Sequence, residues 1–307
     1  MPRPSRVQAL ALYCIAAAGL FAILGLRGLA GDGMGELAVN LLYYLPFVLL
    51  PGILCLRKGP GSIESLRPNP VSLFDAFSIV VLAALSVFFV DELTILWAMP
   101  LQALGLNVNA RALAVPTETG PMMLLVLYGA VLPGICEEFL FRGSILPAFE
   151  RMGTRRAAAA SALLFMLLHG SLVGAPGQLI LGIVIAELVI FCDSIYAGMI
   201  FHTAYNAGLM IIQFAQARAA EEVEIVRDYF SYFGGWEGVL TLLVSVLLMG
   251  GMIRFSLRVF AMRARLKGVQ AMPEQKIPFS GREKRLLGIG IALAAALYLL
   301  DIVIMCI

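Results

Sequence analysis

Nine long apolar stretches constrain the fold of this 307-residue chain more than any other feature of its sequence. A helix needs about 20 mostly apolar residues to cross a bilayer. The stretches that approach or exceed that length cover residues 8–28, 37–56, 74–99, 121–149, 157–173, 177–192, 195–216, 236–257 and 286–306. Because an open sheet or loop leaves backbone groups unpaired in lipid, we predict an all-α polytopic membrane protein. Its single integral membrane domain, residues 1–307, is a bundle of about eight to nine transmembrane helices.

The composition supports this interpretation and excludes other classes. The chain is 61% hydrophobic and 14% charged, against about 45–50% and about 25% for soluble domains. No basic patch is interleaved with aromatic residues, so we expect the lipid bilayer, and no nucleic acid, as a partner. The five cysteines form no C-x-x-C pair, which argues against a disulfide framework or a thiolate metal site.

The basic residues predict how the bundle is oriented. If the spans alternate and the N-terminus is cytoplasmic, the inner segments hold most of the arginines and lysines, as the positive-inside rule requires. These are Arg3, Arg6, Arg57, Lys58, Arg67, Arg151, Arg155, Arg156 and the basic cytoplasmic loop 258–285. The outer segments hold only Arg27, Arg111, Arg218 and Arg227. The short loops and the spans rich in Ala, Leu and Gly favour the inner membrane of a bacterium.

Two adjacent acids and an arginine stand inside the fourth apolar stretch, as Glu137-Glu138-Phe139-Leu140-Phe141-Arg142. Carboxylates at bilayer depth are costly and by default indicate a functional site. Consecutive residues point about 100° apart on a helix, so the two acids have different roles. Glu138 and Arg142 have the i, i+4 spacing of a helical ion pair, which predicts a structural pair. Glu137 is then left to face other helices as a general base.

The only two histidines of the chain also lie in apolar stretches, in Phe165-x-x-x-His169 and His202-x-x-x-Asn206. At 1.5 Å of rise per residue, counted from the inner end of each span, Glu137, His169 and Asn206 all lie roughly 20 Å deep. His202 lies one turn lower, roughly 14 Å deep. We therefore expect these four side chains to meet in one layer of the membrane.

Two kinds of chemistry fit these residues. Glu137 and His169 can activate a water, while His202 and Asn206, four residues apart on one face, can donate hydrogen bonds to an oxyanion. Alternatively, Glu137, His169 and His202 can form a two-histidine, one-carboxylate zinc site. The absence of H-E-x-x-H favours a reaction that requires no cofactor, with zinc as the alternative. A serine or cysteine nucleophile is not favoured, because no histidine stands four residues from Ser144 or Cys136.

Other residues in the apolar stretches are predicted to support the site or to lie away from it. We expect Phe165 and Tyr205 to form the wall of the pocket. Glu187 is the best candidate for a residue that contacts the catalytic side chains without touching the substrate. Asp91-Glu92 and Asp301 are expected near the membrane boundaries.

The three motifs, E-E-x-x-x-R, F-x-x-x-H and H-x-x-x-N, resemble in type and order those of the CPBP family, which comprises CAAX proteases and bacteriocin-processing or Abi proteins. The resemblance covers residues 120–215 and implies that they form the catalytic core of an intramembrane endopeptidase. In that family the first Glu and first His, here Glu137 and His169, are thought to activate water. The second His and the Asn, here His202 and Asn206, are thought to form the oxyanion site.

The resemblance also implies the class of substrate, which is a membrane protein or a lipidated or C-terminally anchored peptide. Some members of the family are described as metalloproteases, which leaves the metal question open. The alternative is a non-enzymatic membrane scaffold, an immunity protein or a transporter. A transporter would favour broken helices in paired repeats, which the sequence does not clearly show.

Overall fold

A computed structural model describes residues 4–30, 35–53, 63–109, 116–219, 228–269 and 272–306. Six residues used in the sequence argument lie outside these ranges: Arg3, Cys55, Arg57, Lys58, Arg111 and Arg227. The end of the second predicted span, at residues 54–56, lies outside them as well.

Nine longer helices run through the described residues, one for each predicted span. They are α1 Arg6–Ala30, α2 Leu37–Ile53, α3 Leu73–Ala103, α4 Thr119–Met152, α5 Thr154–His169, α6 Ala175–Cys192, α7 Ile195–Ala219, α8 Trp236–Leu266 and α9 Gly281–Cys306. The described residues contain no β-strand, only an isolated bridge between Pro68 and Ser194. The all-α prediction is confirmed.

Seven of these helices are long and apolar enough to cross a membrane, and α2 and α5 are shorter. The predicted count of eight to nine is thus approximately met, and the chain is an integral, multi-pass membrane protein. The fifth predicted span, 157–173, ends earlier than expected because α5 stops at His169. Gly170 follows with φ +54°, the left-handed conformation that commonly terminates helices.

Small residues allow the central helices to approach one another closely, as is typical of membrane bundles. A Cβ atom on Gly182 of α6 would lie 2.8 Å from the Cα of Ala162 on α5. One on Gly134 of α4 would lie 2.3 Å from Oγ1 of Thr203 on α7. These approaches bring α4, α5, α6 and α7 together around the polar residues that the sequence singled out.

The outer faces of α3 and α8 are apolar and exposed. Phe77 and Phe88 on α3 and Leu247 and Phe255 on α8 are each at least half exposed. A soluble protein rarely leaves apolar patches of this extent uncovered. We therefore expect these faces to contact lipid acyl chains.

Contacts between helix ends define one side of the bundle. Arg6, at the start of α1, pairs with Glu283 of α9 at 3.0 Å. Arg67, which precedes α3, pairs with Asp193 just after α6 at 2.9 Å. These ends were all predicted to lie on the inner side, and the contacts bring them together.

The opposite ends of the helices meet in the same way on the other side. The backbone N–H of Asn107, beyond α3, donates to the carbonyl of Met305 at the end of α9. Gln102, near the end of α3, accepts a hydrogen bond from the backbone of Tyr229, which precedes α8. These contacts agree with the predicted alternation at the ends of α1, α3, α6, α8 and α9, while the assignment of the first side to the cytoplasm stays a prediction.

The basic segment 258–285 differs in structure from the expected loop. Helix α8 continues to Leu266 and α9 begins at Gly281, so both ends of the segment are helical. Of the described residues between them, 267–269 and 272–280 lie outside both helices.

Candidate active site

Three π-helical segments each contribute a residue to the contacts of the candidate site. Tyr44 begins the segment Tyr44–Leu49 of α2. Gly129 lies in Leu127–Val131, and Arg142 in Phe141–Ile145, both within α4. Such segments insert an extra residue into a helix and frequently occur at functional sites.

Glu137 lies between α2 and α5 and is almost completely buried, with 8% of its side chain exposed. Its Oε1 accepts a 2.7 Å hydrogen bond from the hydroxyl of Tyr44. Its Oε2 faces Nε2 of His169 at 4.0 Å and accepts no hydrogen bond from any described residue. One carboxylate oxygen is therefore fixed by the protein, and the other points at an imidazole beyond direct hydrogen-bonding distance.

The orientation of His169 follows from its position at the end of α5. Its Nδ1 lies 2.8 Å from the carbonyl oxygen of Phe165, one turn earlier. Because a carbonyl can only accept, this contact assigns the hydrogen to Nδ1. In the neutral imidazole Nε2 is then the acceptor nitrogen, and it faces Glu137.

The turn that follows His169 is held from both sides through Leu172. Its backbone N–H donates to Oδ2 of Asp301 on α9 at 2.7 Å. Its carbonyl accepts from the indole N–H of Trp97 on α3 at 2.9 Å. Asp301 is buried, at 2% exposure. Asp301 is therefore covered by the protein, while the expectation that it lies near the membrane boundary stays a prediction.

Glu138 forms the predicted ion pair and a second contact that the sequence did not reveal. Its Oε1 accepts from Nη1 of Arg142 at 3.0 Å and lies 2.9 Å from Nδ1 of His202. The side chains of Glu138 and Arg142 are fully buried. Gly198 makes room for this cluster, because a Cβ there would lie 2.7 Å from Oε2 of Glu138. Glu138 thus fixes both the arginine and the second histidine.

Phe165 packs among the charged and polar side chains of the site. The guanidinium of Arg142 stands 4.9 Å from the centre of its ring, a distance typical of a cation–π contact. The imidazole of His169 lies 4.5 Å away, and that of His202 lies 5.8 Å away, edge to face. Nη2 of Arg142 donates to the carbonyl of Gly182 at 3.1 Å. Through these ring contacts Phe165 packs against both histidines and forms part of the wall of the site.

Asn206 lies one turn beyond His202 on α7. Its amide nitrogen donates to the carbonyl of Gly129 at 3.4 Å. This bond is long for an N–H···O contact. Both side chains face the same space as Glu137 and His169.

All four predicted catalytic residues, Glu137, His169, His202 and Asn206, line one cavity of about 360 Å³. Further lining comes from Tyr44, Phe165, Gln178, Phe201 and Tyr205. A second cavity of about 260 Å³ lies toward α1 and α2 and has a largely apolar wall, with Leu20, Ile23, Leu24, Val39 and Leu168. The two cavities share Asn40, Tyr44, Glu137 and His169. Glu137 and His169 therefore lie at the boundary between the two cavities.

Glu187 does not line this cavity. It lies on α6 with its Oε2 at 3.2 Å from Nη1 of Arg254 on α8. Conversely, sequence reasoning missed Tyr44. A lone tyrosine in an apolar span carries no signal that distinguishes a catalytic contact from packing.

The donors of the site do not form an evident metal centre. Within the described ranges, no group of three or more His, Cys, Asp and Glu side chains is arranged to hold a metal ion. Nδ1 of His202 already faces Glu138, which leaves only its Nε2 for any ligand. The zinc alternative through Glu137, His169 and His202 stays a prediction for experiment.

The comparisons with known proteins agree with this geometry. Residues 119–208 match the family model described as type II CAAX prenyl endopeptidase Rce1-like, and the resemblance to the CPBP family is confirmed. The match indicates a peptide hydrolase. A comparison with curated proteins and one with solved structures each found no match.

Proposed function

We propose, on the premise that residues 119–208 form a CAAX-type endopeptidase, that the chain hydrolyses a peptide bond of a membrane-anchored protein within the bilayer. Water activated by Glu137 and His169 is the nucleophile. The observation that carries the proposal is the 4.0 Å separation of Oε2 of Glu137 and Nε2 of His169 inside the cavity. Both atoms are acceptors, and a water molecule has two hydrogens to donate.

A water that donates to both atoms would lie about 2.8 Å from each, which this separation permits. Its lone pairs then face the substrate. As its oxygen attacks the carbonyl carbon, one proton passes to Glu137. Glu137 returns that proton to the leaving amine nitrogen as the C–N bond breaks. Tyr44 keeps the carboxylate in place through Oε1.

His202 and Asn206 stabilise the oxyanion that forms on the carbonyl oxygen. Since Nδ1 of His202 donates to Glu138, the ring can donate from Nε2 only when both nitrogens carry hydrogen. The buried charges of Glu137, Glu138, Arg142 and a doubly protonated His202 then add to zero. Asn206 has two amide hydrogens, of which one goes to Gly129 and the other is directed to the oxyanion.

The walls of the cavities support an apolar substrate. The second cavity is lined by α1 and α2 with leucine, isoleucine and valine side chains. The substrate segments before and after the scissile bond would then each lie in one of the two cavities, with the bond itself at Glu137 and His169. A C-terminally anchored or lipidated protein supplies such apolar segments at this depth. We place the enzyme in the inner (plasma) membrane of a bacterium, in accord with its short loops.

The test is terminal peptide mapping of membrane proteomes from cells that carry the wild type, Glu137→Gln or His169→Gln. The control is Glu237→Gln, an exposed glutamate at the start of α8. We expect at least one membrane-anchored protein to accumulate uncut in both site variants and to be cut normally in the control. Identical termini in all four strains would refute proteolysis as the function.

A further inference from the structure

A second cluster of charged side chains lies between α5, α6 and α8, apart from the candidate active site. It lines a cavity of about 410 Å³ on the side of the bundle that we predict to be cytoplasmic. The cluster contains Arg155 of α5 and Arg254, Arg258 and Arg265 of α8, with Glu187 of α6 as the single carboxylate. We refer to these four arginines as the arginine cluster.

The three arginines of α8 form a stripe along one face of that helix. Their spacings of four and seven residues keep them within about 40° of each other, at 100° per residue. From Arg254 to Arg265 the helix rises about 16 Å. Arg155 lines the same cavity from the neighbouring α5. The stripe therefore begins within the bundle and reaches the end of α8.

The arginine cluster has an excess of positive charge. Glu187 pairs with Arg254 at 3.2 Å. Within the described ranges, Arg155, Arg258 and Arg265 form no ion pair with a carboxylate. The other acids near this side are already engaged, Asp75 by Arg263 and Lys267, and Glu274 by Arg156 at 2.9 Å.

The same cavity also has an apolar wall, to which Ile190, Phe191, Leu257 and Met262 contribute. Before Arg254, toward the membrane interior, α8 exposes Leu248 and Met252. A ligand that fits both features carries negative charge at one end and hydrocarbon at the other. Arginine pairs well with phosphate oxygens because its planar fork can donate two parallel hydrogen bonds.

We propose that the arginine cluster binds the phosphate headgroup of an anionic phospholipid in the leaflet on this side, with the acyl chains along the exposed face of α8. Basic pockets between membrane helices bind such headgroups through this charge complementarity. The site is independent of the proposed protease activity, because it shares no residue with the catalytic cavity.

The test uses nanodiscs of phosphatidylcholine that contain one fifth phosphatidylglycerol. The wild type, Arg258→Gln/Arg265→Gln and a control, Arg282→Gln/Arg285→Gln, are extracted into detergent, and native mass spectrometry measures the phosphatidylglycerol that each retains. The control removes the same two charges from exposed positions at the start of α9. All four side chains are exposed, and a thermal unfolding scan confirms that each variant is folded.

We expect the wild type and the control to retain phosphatidylglycerol in preference to phosphatidylcholine. In Arg258→Gln/Arg265→Gln, the cluster variant, the ratio of retained phosphatidylglycerol to phosphatidylcholine should fall by roughly 10- to 30-fold, at about 1 kcal/mol per arginine. Equal retention by the wild type and the cluster variant would overturn the proposal, as would an equal loss in the control. Displacement of the lipid by soluble glycerol phosphate would assign the cluster to a free phosphate and also overturn it.

Discussion

The hydroxyl of Tyr44 donates a 2.7 Å hydrogen bond to Oε1 of Glu137, although 93 residues separate them in the chain. The bond fixes one oxygen of the carboxylate, and the other oxygen is left to face His169. The position of the proposed general base therefore depends on α2, a helix outside the segment with the three motifs.

Replacement of Tyr44 by Phe should slow catalysis with little change in fold. A hydrogen bond to a charged group contributes about 1.5–3 kcal/mol, which corresponds to a fall of roughly 10- to 100-fold in kcat/KM. The measurement is the cleavage rate of a peptide taken from the mapped substrate. Tyr13→Phe is the control, since its buried hydroxyl makes no hydrogen bond with any described residue. An unchanged rate in Tyr44→Phe would contradict the role of this bond.

Glu138→Gln should destabilise the protein and also slow the cleavage of its substrate. The substitution leaves the fully buried Arg142 without a counter-charge and removes the carboxylate that faces His202. Breaking a buried pair costs about 3–5 kcal/mol, which thermal or denaturant unfolding in detergent would detect. The double variant Glu138→Gln/Arg142→Met should recover part of the loss, because no charge is then left unpaired.

The control for that prediction is Glu274→Gln, which breaks the ion pair with Arg156. Both side chains of this pair are about half exposed, and exposed pairs contribute about 0–1 kcal/mol. If Glu138→Gln were as stable as Glu274→Gln, the structural role of Glu138 would be wrong.

The sequence predicted the helices and the grouping of the proposed catalytic residues because both follow from simple rules. Bilayer thickness sets the length of an apolar span. The constant rise of a helix placed Glu137, His169 and Asn206 at one depth, and all three line one cavity. The i, i+4 spacing was likewise sufficient to find the Glu138–Arg142 pair.

Contacts between distant helices could not be predicted in this way. The bond from Tyr44 to Glu137 and the contact of Glu138 with His202 depend on how helices are rotated against one another. Each π-helical segment inserts one residue and so rotates the helix that follows it. No pattern in the sequence predicts where these segments occur. The contact of Asp301 was missed for the same reason, because its partner is a backbone N–H at Leu172.

Asp301→Ala should lower kcat more than it raises KM. It removes the acceptor for the backbone of Leu172, three residues after His169, and so loosens the turn that positions the imidazole. This N–H is partly buried, and leaving a buried one unsatisfied costs about 1–3 kcal/mol, so the unfolding midpoint should fall by up to that cost. Asp301→Asn keeps an acceptor oxygen and should stay close to the wild type. If both variants behaved alike, the positioning role would be refuted.

Removal of metal ions should leave activity unchanged. Within the described ranges no three-ligand group is present at the site, and the proposed water is activated by Glu137 and His169 alone. Activity would be followed before and after treatment with a strong zinc chelator, together with the metal content of the purified protein. Loss of activity on chelation, with recovery on addition of zinc, would establish the zinc alternative through Glu137, His169 and His202.

The most direct test of the central claim is the turnover of purified Glu137→Gln. The substitution keeps the shape of the side chain and an oxygen for Tyr44, but it removes the base. We predict that kcat falls by about 10²- to 10⁴-fold, the usual contribution of a general base, while the unfolding temperature is unchanged. A Glu137→Gln protein that is folded and cleaves the substrate at the wild-type rate would contradict the account.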